Sequence, residues 1–173
     1  MTSADLSVRV GWADDAAGIA DVQVRAWREE HAELPPLDVA EVEAAWRNSL
    51  VAPRDARQRV LVALERAVVR GFAVTQPSPD PDSDPVADGE LTELTVDPEH
   101  HREGHGSRLV HAAVDTLRAD RFTRAVVWLA TTDDVRRAFL RDAGFEPDGA
   151  HRELDLHGDG SVTLRQVRLH ASL

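Results

Sequence analysis

The sequence predicts an α/β (α+β) domain with a mixed, mostly antiparallel sheet of about six to seven strands flanked by helices. Three observations point to it. Strand-like apolar runs alternate with segments of helical periodicity, and short turn signals join two pairs of strands. The length of 173 residues suits one domain over residues 1–173, large enough to bury roughly 70% of its unfolded surface without a disulfide or a structural metal.

Each element has its own signal. Leu6–Trp12 alternates Leu, Val and Val with polar residues and reads as a half-buried strand. Asp14 and Asp15 offer N-caps for a helix reaching about Glu33, with Ile19, Val22, Ala26 and His31 along it. Asp38 with Glu41 resembles a capping box and opens a second helix to about Leu50. Arg59–Leu64 and Ala67–Thr75 are Val-rich runs joined at Glu65-Arg66, a hairpin. Gln76–Gly89, with four prolines and four aspartates, reads as a solvated loop. Glu90–Val96 is a further strand, and Leu109, Val110, Ala113, Val114 and Leu117 then fall at helical spacing. Ala125–Ala130 is a continuous apolar run suited to a strand buried on both faces. Asp134–Ala143 reads as a helix stopped by Gly144. Gly149–Leu156 and Val162–His170 flank a Gly-Asp-Gly turn and form a closing hairpin.

Composition narrows the function classes. The chain has 31 acidic against 20 basic residues, a formal charge of −11, which argues against nucleic acid as a partner and favours cationic ones. Cysteine is absent, excluding disulfides, thiolate metal sites and cysteine nucleophiles. Tyrosine and lysine are absent too. The start, Met1-Thr-Ser-Ala-Asp-Leu, lacks the basic-then-apolar pattern of a leader, and no stretch approaches the ~20 apolar residues of a membrane helix. The expectation is a cytoplasmic protein without a membrane partner; oligomeric state is open, a homodimer included.

The most informative segment is Gly89–Leu117. Leu91 and Leu94 are three apart while Leu94 and Val96 are two apart, so an extra residue near Thr92–Glu93 is needed to put all three on one face. That is a β-bulge, which splays the neighbouring strand and frees backbone N–H and C=O groups for a ligand. Pro98 ends the strand; Gly104 and Gly106 then allow a tight curl into a helix. Successive amides at a helix N-terminus form an anion site, to which a pyrophosphate is the natural ligand. The glycine pattern is neither a Walker loop nor a dinucleotide-binding GxGxxG, since position 109 is Leu. His100, His101, His105 and His111 crowd this segment, but histidines on one tight loop seldom converge on an ion, and no metal is expected.

The run LTVDPEHHREGHGSRLV resembles the signature of the GNAT superfamily of N-acetyltransferases, with Leu94, Val96, Pro98, Gly104 and Gly106 in place and His101 where the family has Gln or Arg. The segment from Val22 to Glu29 is similar to the first helix of many bacterial members. Arg59–Thr75 resembles their central hairpin, and Ala138–Phe145 their Phe-Tyr-x-x-x-Gly-Phe segment.

The resemblance implies acetyl-CoA as acyl donor, lying in a V between the bulged strand and Ala125–Ala130. Backbone groups of Leu94, Thr95 and Val96 would pair with the pantetheine arm. Amides of the run His101, Arg102, Glu103, Gly104, His105, Gly106 and Ser107 would hold the pyrophosphate, with Arg102 and Arg108 as salt partners. Asp133 takes the place of an asparagine common before the next helix. Glu90 falls where some members carry a glutamate general base, and Glu93 is the nearby alternative. Trp27 and His31 are candidates for the acceptor pocket. The tyrosine that often protonates the departing thiolate is replaced by Leu140, leaving water, Ser107 or a histidine. The implied reaction is acetylation of a small-molecule or peptide amine; a catalytically weak acyl-CoA-binding or regulatory protein and an enzyme acting on protein N-termini or lysines are the alternatives.

Overall fold

The computed structural model describes residues 5–173; residues 1–4, part of the start on which the expectation of no leader rests, lie outside the described residues. Among the described residues, seven strands form one sheet: β1 (Leu6–Val10), β2 (Arg59–Glu65), β3 (Val68–Pro77), β4 (Asp88–Val96), β5 (Arg124–Ala130), β6 (Glu146–Asp155) and β7 (Thr163–Ser172). Four α-helices cover it: α1 (Ala16–Glu30), α2 (Val39–Val51), α3 (His105–Ala119) and α4 (Asp134–Asp142). The strand order is β1-β2-β3-β4-β5-β7-β6, antiparallel everywhere except the central β4–β5 pair. The predicted mixed, mostly antiparallel sheet is therefore present.

The apolar runs are continuous because the middle of the sheet is buried on both faces. Along β2, Val60, Val62 and Leu64 pack with Ile19 and Val22 of α1 and with Phe72 and Val74 of β3. The alternate residues Leu61 and Ala63 pack toward Leu109, Val110, Ala113 and Leu117 of α3. The α3 side of β5, through Ala125, Val127 and Leu129, joins the same cluster as Leu140 and Phe145.

Helix ends follow their caps. The Asp38 side chain accepts from the amides of Ala40 (2.9 Å) and Glu41 (3.0 Å). Gly144 takes φ 97° just past α4, as a C′ glycine should. α1 stops at Glu30 rather than near Glu33, because His31 leaves the helical region at φ −134°. β4 begins at Asp88 and β6 at Glu146, both earlier than expected; β6 has a register break between Pro147 and His151 that its hydrophobic pattern conceals.

The segment between β3 and β4 is the expected loop and is mostly exposed, but Ser78 and Asp80 are tied to the sheet. Ser78 is 3% exposed, and the Asp80 carboxylate accepts from the Trp128 indole N–H at 3.0 Å and from Arg168 Nη1 at 3.0 Å. A proline- and aspartate-rich composition cannot fill an apolar core, but its carboxylates can be drawn onto a sheet that offers arginines. Among the described residues, no helix is long and apolar enough to cross a membrane.

Candidate active site

β4 and β5 pair only from Asp88↔Arg124 to Glu90↔Val126, and then part. The cause is in β4. Thr75 pairs with Leu91 but the preceding residue of β3, Val74, pairs with Glu93, so Thr92 is the extra residue of a bulge. Its hydroxyl donates to the Val74 carbonyl at 3.3 Å. Beyond Glu90, the edge of β4 that faced β5 has no strand partner among the described residues.

A crevice of about 660 Å³ opens there, walled by Leu94 and Val96 of β4, by the turn at His101, Arg102 and Gly104, by Gly106 and Ser107 of α3, and by Asp133, Val135, Arg136 and Phe139 around α4. Gly104, at the N-cap of α3, takes φ 89°, a left-handed conformation that glycine adopts without a steric penalty. A Cβ on Gly106 would stand 3.6 Å from both Phe139 and Val96, so the missing side chain keeps the crevice open. The first amides of α3 and its dipole face this space, a fit for an anionic phosphate group.

The turn is anchored from below by Asp97, which the sequence analysis did not single out. Its buried carboxylate accepts from Arg25 Nη2 (2.7 Å) and Nε (3.2 Å) and from the Glu99 amide (3.2 Å), and its own amide donates to the Arg70 carbonyl (2.7 Å). Burial alone would raise its pKa, but these donors hold it below the usual carboxylate range. An Asp directly before Pro98 is a local signal for such a cap, whereas Arg25 lies far away in sequence.

The four histidines separate. His101 Nε2 lies 3.3 Å from the Val96 carbonyl at the crevice wall, and His100 Nδ1 pairs with Glu103 at 3.0 Å. His105 is buried, 1% exposed, with burial lowering its pKa; only its amide can serve the anion site. His111 bonds back to the Ser107 carbonyl at 2.8 Å. Thr95 and Glu103 do not wall the crevice.

Glu90 sits where the strands part, 5% exposed, with Oε2 lacking any hydrogen-bond partner. Its pKa is pushed up to about 7, first by burial and then by the Asp80 carboxylate; Arg152, the Ser78 hydroxyl and Arg168 oppose the shift. Glu93 pairs with Val74, and its pKa is also raised, first by burial of its carboxyl group and then by Glu30, with Arg136 opposing. Neither carboxylate walls the crevice itself.

The rings of Trp27 and His31 lie 4.3 Å apart, tilted by 51°, and the Trp27 indole donates to the Pro35 carbonyl at 3.3 Å. They stay outside the crevice, whereas Glu30 between them lines it and reaches Arg136 at 3.6 Å. Asp133 caps α4 by accepting from the Arg136 amide at 3.0 Å. Leu140 is fully buried in the core cluster, and its neighbour Phe139 is the residue of that segment on the crevice wall. Val135, Arg136 and Phe139 follow from the helical turn after Asp133, a spacing that could have nominated them.

Solved structures share this fold. The ribosomal-protein-alanine N-acetyltransferase of Brucella melitensis is 19% identical and aligns over 96% of this chain and 99% of its own, with a TM-score of 0.74. The yncA protein of Salmonella typhimurium, solved with its cofactor acetyl-CoA, is 18% identical over 98% of this chain and 94% of its own, TM-score 0.71. The PaiA N-acetyltransferase of Thermoplasma acidophilum, solved with coenzyme A, is 15% identical over 100% of both chains, TM-score 0.69. No curated protein sequence matches the chain. The sequence profile described as "Acetyltransferase (GNAT) family" matches residues 18–145, more than half of its length. With the bulged strand, the parted pair and the glycine turn in place, the chain belongs to the GNAT family of acetyltransferases.

Proposed function

We propose that the protein transfers an acetyl group from acetyl-CoA to a primary amine of a small molecule or peptide, by direct attack of the amine. The observation that supports this best is the crevice at the parted β4–β5 pair, which joins a free strand edge to a helix N-terminus. Acetyl-CoA, once bound, supplies an activated thioester. The free edge at Leu94 and Val96 offers main-chain hydrogen bonds to an extended amide chain, and the amides from His101 to Ser107 offer donors to phosphate. Arg102, on the crevice wall, adds charge to that end. An N–H near Leu94 polarises the acetyl carbonyl. Glu90 takes the proton that the attacking ammonium must lose; a carboxyl group titrating near neutrality is suited to that exchange. With no tyrosine in the chain and Leu140 in the core, the departing thiolate takes its proton from water or from Ser107.

Calorimetry and thermal shift with acetyl-CoA test the donor site, and thiol release across a panel of small amines and peptides tests the transfer. Binding heat together with release for at least one amine is expected. Absence of both heat and thermal shift at saturating acetyl-CoA would overturn the reading.

A further inference from the structure

Glu90, Val126, Trp128 and Arg168 share one face of the sheet, the face turned away from α3, because Glu90 pairs with Val126 and Trp128 pairs with Arg168. On this face the segment 78–82 is hydrogen-bonded by the Arg168 guanidinium, while Arg152 Nη1 stands 3.7 Å from Asp80 Oδ1. Arg168 Nη1 donates to Asp80 (3.0 Å) and Asp82 (2.8 Å), Nη2 to Asp82 (2.7 Å) and Nε to Asp148 (2.6 Å). The side chains of Arg168, Asp80 and Asp148 are only 6%, 7% and 9% exposed, whereas Asp82 is 62% exposed, so the hub is buried on its sheet side and opens to solvent at Asp82. The Trp128 indole N–H completes the hold on Asp80, and the Arg152 guanidinium lies 4.1 Å over the Trp128 ring. The groups facing the Glu90 carboxyl are Asp80 and Ser78 from this segment, Arg152 from β6 and Arg168 from β7. Its strand partners Gln76 and Val126 carry no charge.

We propose that Arg168 is a positioning residue for acetyl transfer: by hydrogen bonds to Asp80 and Asp82 it fixes the segment 78–82 beside Glu90, while Arg152, 3.7 Å from Asp80, adds charge to the same surroundings. The inference rests on Glu90 as the proton acceptor. A guanidinium suits the task because its planar fork grips several carboxylates in fixed directions, where an ammonium offers a point charge without that geometry.

The test is a carbon-13 titration of the full chain labelled at the glutamate carboxyl carbons, with Glu90→Gln identifying the Glu90 resonance. The native midpoint is expected near 7. Asp80→Asn removes the opposing charge while keeping an acceptor for Trp128, and should lower the midpoint by about half a unit to one unit. Arg168→Met leaves Asp80 and Asp148 without their shared cation and should raise it. Arg168→Lys keeps the charge and should hold the midpoint near its native value, but hydrogen exchange at residues 78–82 should quicken because the fork is lost. Opposite shifts in the two neutralising variants are what a merely structural role would not produce. Should Arg168→Met fail to fold, Asp80→Asn and Arg168→Lys decide. An unmoved or raised midpoint in Asp80→Asn, or unchanged exchange in Arg168→Lys, overturns the proposal. Failure of the base reading looks different: Glu90→Gln would then release thiol at the native rate with an amine found active, and the positioning role would fall with it.

Discussion

Glu90 owes its chemistry to its place at the last paired position before β4 and β5 part. Paired backbone on both sides keeps the side chain buried, and burial disfavours the charged form more than the nearby arginines restore it. A base must be ionised to act, so thiol release should rise with pH through about 7 and then level off. Glu90→Gln should lower the rate by roughly 10²-fold and remove that rise, with acetyl-CoA affinity changed by less than about twofold. Steady-state rates from pH 5.5 to 9 check this, and an unchanged profile would exclude Glu90. The bulge after Glu90 is legible in the Leu91, Leu94 and Val96 spacing, whereas Glu90 itself is nominated only by the resemblance to the acetyltransferase family. Its titration is not legible in the sequence, since Asp80, Arg152 and Arg168 reach it only through strand pairings remote in sequence. Leu140 adds a second lesson at this scale. The sequence shows that a tyrosine is missing there, while the structure shows the replacing side chain turned into the core, so no group at that position serves the thiolate.

At the scale of elements, the turn into α3 joins conformation to binding. Valine at position 104 would have to hold φ near 89°, which costs an L-residue roughly 1–2 kcal/mol, and its Cβ would meet Arg108 Nη1 at 2.8 Å. The arginine can swing aside, so backbone strain dominates. α3 itself should persist, held by Leu109, Val110, Ala113 and Leu117 in the core. Gly104→Val should therefore weaken acetyl-CoA binding by at least about tenfold while leaving the circular dichroism near native; retained affinity by calorimetry would mean that the first amides of α3 do not hold the phosphates. Gly89 concerns packing instead. A Cβ there would stand 2.5 Å from Leu117 Cδ2 and 2.9 Å from Phe122, at the short paired stretch of β4 and β5. Gly89→Ala should cost about 1–3 kcal/mol of stability by overpacking, measured by urea unfolding, and no loss would show that α3 yields at its end. The strand–turn–helix run and the hairpin of β2 and β3 were readable because their signals are local. Residues 78–87 form the largely exposed loop that composition predicts, but composition does not say which distant arginines bind its carboxylates, nor that Gln76 and Pro77 end β3 and Asp88 and Gly89 open β4.

Across the whole molecule, the formal charge of −11 looks different once its carboxylates are placed. Many are tied to arginines: Asp15 to Arg9, Asp97 to Arg25, Asp120 to Arg59, Asp148 to Arg124 and Arg168. Apart from Asp15 and Arg9, six residues apart, these pairs join residues remote in sequence, as does the β5–β7–β6 order, and neither is visible in local patterns. Their titrations give stability two opposing slopes. For Asp15, Asp97 and Asp148, burial would raise the pKa, but hydrogen bonds bring it below the ordinary range. Their stabilisation is complete above the unfolded value, near 3.8, and is lost as pH falls through the lower folded values. Glu90 works the other way. The folded state holds its proton between the ordinary 4.5 and about 7, so ionising it costs stability as pH rises through that window, by roughly 3 kcal/mol at most. His105, held neutral by burial, loses stability as pH falls below 6.5 and partly masks this slope in the native protein. A difference measurement removes the mask, because every other group titrates alike in both proteins. The melting temperature of Glu90→Gln minus that of the native chain should increase from pH 4 to pH 8, by roughly 5–10 °C for a domain of this size. A flat difference would mean that Glu90 ionises as freely in the fold as in the unfolded chain, and its burial would then contribute nothing to its readiness as a base.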